Sequence, residues 1–283
     1  MLKDKPLTVA SLLRTFLGPM SLTWALTLCE TALMALVPLF IGFAIDDLLD
    51  GGTTGLLQLT AVLTGLTAIA VLRRRYDTRA YGRIRVEVGK AQVDRSAEVP
   101  VSVLNARLGM GRELVAFLEQ EVPTTLESSV GLAVSLVVFY AFDPILSCAA
   151  LGAAALSVGI YGLFHKRFYR LNAGHNQQME RQVRILAARP SDAVLPHLNR
   201  LRRFEIELSD TEAAVHGTIF LVLLGFVVFN IWFAASNLAI TAGTIFSIVS
   251  YSWGFVEAAL VLPFTLQGWS RLSEIMARIN EAV

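Results

Sequence analysis

Cysteine, charge and catalytic clusters are scarce in this chain of 283 residues, and each shortage closes off a class of protein. The two cysteines, Cys29 and Cys148, fall in separate apolar stretches with no ligand spacing around either, which excludes a disulfide framework and a thiolate metal centre. They read as small apolar side chains in packed or lipid-facing positions. Only 17% of residues are charged against 54% hydrophobic, with a mean hydropathy of +0.57, a balance that a soluble chain of this length rarely reaches. No G-x-x-x-x-G-K-[ST] phosphate loop is written here: Gly89-Lys90 has no second glycine at the required distance and no Ser or Thr after the lysine. No nucleophile–base set and no metal-ligand spacing occurs either. The expectation is therefore no enzyme, no metal and no cofactor. The N-terminus also lacks a cleavable signal peptide, because the apolar run behind it is too long and no small-x-small site follows.

What the chain does have is six long apolar stretches and a one-sided distribution of its 24 Lys and Arg residues. The basic residues lie before the first stretch (Lys3, Lys5, Arg14), between the second and third (Arg73 to Arg112), between the fourth and fifth (Lys166 to Arg203), and after the sixth (Arg271, Arg278). The other three gaps hold none. Crossing about 30 Å of hydrocarbon takes about 20 helical residues. The predicted spans are 22–45, 53–72, 122–142, 144–164, 217–236 and 244–264, the last two split by Asn237 to Gly243. Each must be a helix, because lipid offers the backbone no hydrogen-bond partner. The positive-inside rule makes the basic segments cytoplasmic and places both termini inside. The predicted class is an all-α integral membrane protein, of a bacterial inner membrane. Residues 1–20 form an interfacial N-terminal segment, with an amphipathic stretch from Leu7 to Leu17 ended by Gly18-Pro19.

The outer connections are short, whereas the inner ones, 73–121 and 165–215, are long and rich in helix formers. A structureless loop of that length is improbable in a compact domain. Both read as cytoplasmic helical hairpins that extend the spans by about 20 residues, or roughly 30 Å, per helix. Proline fits a turn better than a shaft, so the elbows are placed at Val99, Pro100 and Leu104, running to Leu108, and at Pro190, Asp192, Pro196 and His197, running to Asn199.

Six spans with short outer loops and two long inner hairpins resemble the transmembrane domain of ABC exporters. LVPLFIGFAIDDLLDGG at Leu36 to Gly52 looks like that family's first helix and outer loop, Asp143-Pro144 like its corner between helices three and four, and AGTIFSIVSYSWGFVEAALVLPFTLQGWSRLSEIMARI at Ala242 to Ile279 like its sixth helix and run-out. The resemblance implies a dimer of six-helix halves, with helices four and five reaching across to the partner half. A homodimer is expected, a heterodimer being the other arrangement. Two departures stand out. The sequence stops at Val283, where a fused ATPase would begin, and the second elbow, RPSDAVLPHLNRLRRF, is basic where exporters carry an acidic docking segment.

Carboxylates inside a membrane are costly and need a reason. Glu30 lies 15 residues inward from Ile45 and Glu257 15 residues inward from Ala242, roughly 22 Å deep. In a dimer of the resembled kind they would surround one chamber and serve substrate or protons, or else pair with an arginine as structural groups. Glu127 sits near the inner end of its helix, as either an interfacial or a pathway residue. His216 is a proton-linked candidate or a plain interfacial histidine. Trp253 precedes Glu257 by one helical turn, and an aromatic wall beside an acid would suit a cationic amphiphile. Pro38 and Pro263 are kink positions, and Arg73-Arg74-Arg75 reads as an anchor to anionic headgroups rather than to nucleic acid. The function expected is a transport permease for a small or amphipathic substrate, energised by a separate ATP-binding subunit. The alternatives are an ATPase-less secondary transporter driven by protons through the intramembrane glutamates, and a non-transporting scaffold or regulatory subunit.

Overall fold

The structure is a computed structural model, which describes residues 8–95, 101–188, 191–238 and 241–280. Among these residues there is no strand. The helices are α1 (Val9–Thr15), α2 (Leu17–Leu49), α3 (Thr54–Arg95), α4 (Val101–Ala116), a π-helical turn (Phe117–Glu121), α5 (Val122–Phe142), α6 (Pro144–Ala188), α7 (Ser191–Asn237) and α8 (Ala242–Asn280). Six helical stretches are long and apolar enough to cross a membrane: Leu17–Leu49, Thr54–Asp94, Arg107–Phe142, Pro144–Met179, Val194–Asn237 and Ala242–Val261. Several run far past one bilayer thickness. α3 is a single helix of 42 residues, so the stretch read as the second span continues unbroken into its arginine-rich half.

The helices sort into two compact units, Met1–Phe142 with Ile231–Val283, and Asp143–Asn230. In the first, α2 packs on α3, α5 and α8. Its approach to α8 is backbone on backbone at Gly42 and Gly243, where a Cβ on Gly42 would stand 2.6 Å from the Gly243 carbonyl oxygen. Close helix contact through small residues is how apolar helices associate where burial from water supplies no drive. The α8 N-terminus sits on Asp46, whose Oδ1 accepts from the Gly243 N–H at 2.8 Å and whose Oδ2 accepts from Thr241 Oγ1 at 2.5 Å. Neighbouring Asp47 caps α3 in the same way, through the Gly55 N–H at 2.8 Å. These caps satisfy amides that a helix start leaves unpaired. Gly51, at φ +81°, takes the left-handed conformation that turns the chain between α2 and α3.

Pro38 removes a backbone donor from α2, and α8 hydrogen-bonds to two α2 carbonyls in that turn. Tyr251 Oη donates to the Ala35 carbonyl at 2.6 Å and Ser247 Oγ donates to the Pro38 carbonyl at 3.0 Å. At the basic end of the unit, Leu12, Met20, Tyr81, Ile84, Val88, Leu114, Val115 and Leu118 form a buried core. Tyr81 Oη reaches the Leu118 carbonyl at 2.9 Å, inside the π turn, where the widened helix releases a backbone acceptor. The apolar face of α1 joins this core through Leu12, which is fully buried. The N-terminal segment therefore meets protein on that face. Its break comes at Phe16 (φ −115°, ψ 27°) rather than at Gly18-Pro19. Both of those residues lie in the first turn of α2, where proline's missing N–H costs nothing.

In the second unit, α6 and α7 meet through buried polar and aromatic contacts. Gln178 Nε2 lies 2.7 Å from Nδ1 of buried His197, and the ring of Phe204 packs over Gly174. Further up α6, Tyr161 stacks on Phe168 with centroids 5.9 Å apart. The described parts of the expected elbows are helical. Leu104 stands inside α4, and Asp192, Pro196 and His197 stand inside α7. Pro196 lies in the second turn of α7, where it removes one intrahelical bond that the helix does without. Val99, Pro100 and Pro190 lie outside the described residues, as does the side chain of Asp192.

Candidate functional site

The first unit holds a cavity of about 420 Å³ between α2, α3, α5 and α8. Its floor is ionic. Arg73, on α3, places Nε 2.5 Å from Glu30 Oε2 on α2 and Nη1 3.0 Å from Glu127 Oε1 on α5. The same Nη1 lies 3.2 Å from Thr27 Oγ1, and Nη2 lies 3.4 Å from Glu30 Oε1. One guanidinium thus ties three helices together. Its planar fork of donors is suited to such sharing, whereas an ammonium would act as a single point. The side chains of Arg73 and Glu30 are 23% and 21% exposed, that of Glu127 42%, so solvent reaches the site chiefly on the Glu127 side.

The helices supply these groups for local reasons. Glu30 and Thr27 are three residues apart and share a face of α2. Thr27 and Thr31 turn their hydroxyls back on the carbonyls of Thr23 and Thr27, which keeps that face polar without exposing unpaired groups. Asp77, one turn beyond Arg73 on α3, is hydrogen-bonded to Thr23 and keeps its buried Oδ1 free of hydrogen bonds.

Above the floor the walls turn apolar: Met34, Ala35, Val37 and Pro38 from α2, Gly131 and Val134 from α5, and Gly254 from α8. Three hydroxyls remain among them, those of Ser135, Ser250 and Tyr251. Ser135 is only 3% exposed and lines the cavity. From Glu127 to Ser135, and from Glu30 to Pro38, the helices rise by about 12 Å, which is the length of the lined chamber.

The sequence expectations fall on both sides of this geometry. Glu30 and Glu127 line the cavity and meet at one arginine. Trp253 and Glu257 do not line it. Both are exposed on a neighbouring face of α8, and Tyr251 and Gly254 are the α8 residues that reach the chamber. The aromatic side chain at this cavity is therefore Tyr251, two residues from Trp253. His216 is half-buried on α7 in the other unit. Arg73 was read as one of three headgroup anchors, yet it alone turns inward, while Arg74 and Arg75 are exposed. The signal that could have singled it out is its position directly after the apolar run, level with two glutamates that each need a cation. Among the described residues no group of His, Cys, Asp or Glu is arranged to hold a metal ion.

Six helices long and apolar enough to cross a membrane, four of which line a cavity with an ionic floor, define an integral membrane domain. The family agrees with that class. The model of the ABC transporter transmembrane region matches residues 10–243, so the chain belongs to that family. Comparison with curated proteins finds no relative.

Proposed function

We propose that this chain is one half of an ABC-type transport permease, works as a dimer, and moves a small or amphipathic substrate with energy from an ATP-binding subunit encoded separately. The observation that carries the reading is the family match over most of the chain, joined to a cavity of about 420 Å³ inside the apolar bundle. A chamber of that size suits a small ligand, and apolar walls with a few convergent polar groups are the usual make-up of a binding pocket. The absence of a phosphate loop anywhere in the sequence supports the need for a partner that binds ATP. The one-sided Lys and Arg distribution supports cytoplasmic termini and hairpins, with the elbow regions facing that partner. Exposed Trp253, Gly254 and Glu257 give α8 an uncovered face beside the chamber, which suits a second six-helix half there.

Mild-detergent purification from native membranes, with mass spectrometry of stoichiometric companions, tests the proposal. An ATP-binding subunit at one copy per chain is the expected result. A homodimer that contains no ATPase overturns it in favour of gradient-driven transport.

A further inference from the structure

We infer that the cavity selects an amphiphile with a single primary ammonium group, seated at Glu127 with its apolar body against α2, α5 and α8. This rests on the reading of the cavity as part of the transport pathway. The ionic floor carries one cation and two anions, and Arg73 is the sole cation among the described residues that line the chamber. Arg73 is already committed, since Nε, Nη1 and Nη2 all face Glu30, Glu127 or Thr27. The unspent capacity is on the accepting side. Glu127 uses Oε1 on Arg73, is the most exposed member of the trio, and lines the chamber. Tyr251 spends its proton on the Ala35 carbonyl, which leaves its oxygen able only to accept. Ser135, almost wholly buried, adds a hydroxyl to the wall. Asp77 adds a negative neighbour one turn from Arg73.

An anion entering this chamber would meet a surplus carboxylate and no free donor of charge. A cation would meet its counterion in a partly desolvated site, where charge pairs count for more than they do in water. A primary ammonium donates three hydrogen bonds and matches acceptors; a quaternary one donates none. The remaining walls offer Met34, Val37, Pro38 and Val134 to a hydrocarbon or aromatic body along the roughly 12 Å rise above the floor.

The test uses the full chain in lipid nanodiscs and three matched radiolabelled probes: phenylbutylammonium, phenylbutanol and phenylbutyrate. Empty nanodiscs give the partition background. The ammonium is expected to bind saturably and about tenfold or more tighter than the alcohol, with the carboxylate weakest. Glu127→Gln keeps the shape and removes the charge, and is expected to erase the order among the three. Val134→Trp fills the chamber and is expected to abolish saturable binding of all of them. Binding that Val134→Trp abolishes, but without preference for the ammonium or with a preference that survives Glu127→Gln, overturns the substrate class and leaves the cavity reading intact. Absence of any binding sensitive to Val134→Trp overturns the cavity reading, and the substrate class with it.

Discussion

Replacing Arg73 with glutamine removes the one cation that two carboxylates share, and its cost can be worked from the burial of the three groups. Breaking a buried ion pair by deleting one partner costs about 3–5 kcal/mol, because the other charge is left uncompensated. Here Arg73 and Glu30 keep 23% and 21% of their side-chain exposure and Glu127 keeps 42%. Water therefore relieves part of the penalty, most of it at Glu127, and about 2–4 kcal/mol is expected for Arg73→Gln. At about 2–4 °C per kcal/mol for a chain of this size, the apparent melting temperature falls by about 4–16 °C.

The assay is thermal unfolding of the purified protein in detergent, read by loss of the monodisperse chromatographic peak at a fixed heating time. The reasoning makes a second, sharper demand. Since the penalty comes from the stranded charge at Glu30, the double variant Glu30→Gln with Arg73→Gln should recover about half or more of the loss, a coupling that only interacting residues show. Arg73→Lys should fall between, because an ammonium cannot reach Glu30, Glu127 and Thr27 from one planar fork. If Arg73→Gln melts with the parent protein, or if the double variant is as unstable as the sum of its parts, the three-helix tie is not an energetic unit.

Three further changes probe the scaffold. Tyr81→Phe leaves the Leu118 carbonyl of the π turn without its partner in a buried core, and should cost about 1–3 kcal/mol in the same melting assay. Asp46→Ala uncaps α8 at Gly243 and Thr241 and should cost about 0.5–2 kcal/mol, with faster proteolysis at the α7–α8 connection as the local readout. Gly42→Leu drives a side chain into the Gly243 backbone of α8; with no room to yield, the expected outcome is loss of the folded peak in chromatography, whereas Gly65→Leu, where nothing stands within 4 Å of an added Cβ, leaves it in place.

How much of this was legible in the sequence depended on whether the information is carried along the chain or across it. Span identity is carried along the chain. A run such as Leu22 to Ile45 has no way to satisfy its backbone in lipid except as a helix, so composition alone decides it. The family follows from the same kind of evidence, the spacing of spans and corners. Elbow positions were less legible, because proline was read as a stop. The structure carries α7 through Pro196, six residues into the helix, so a proline did not mark its end. The site was legible only in halves. Two glutamates in apolar helices announce that each needs a counter-charge, and the sequence shows that much. It does not show that Arg73, 43 residues from Glu30 and 54 from Glu127, serves both, since that depends on how α2, α3 and α5 are rotated about their own axes. Rotation is set by contacts such as Gly42 on Gly243 and Tyr251 on the open turn at Pro38, which are pairings between distant segments that periodicity does not record. The same rotation sends Trp253 and Glu257 to an outer face of α8 and brings Tyr251 to the chamber. A pair that shares a helix face shares its fate, so Trp253 and Glu257 lie together on the exposed face of α8 and outside this cavity.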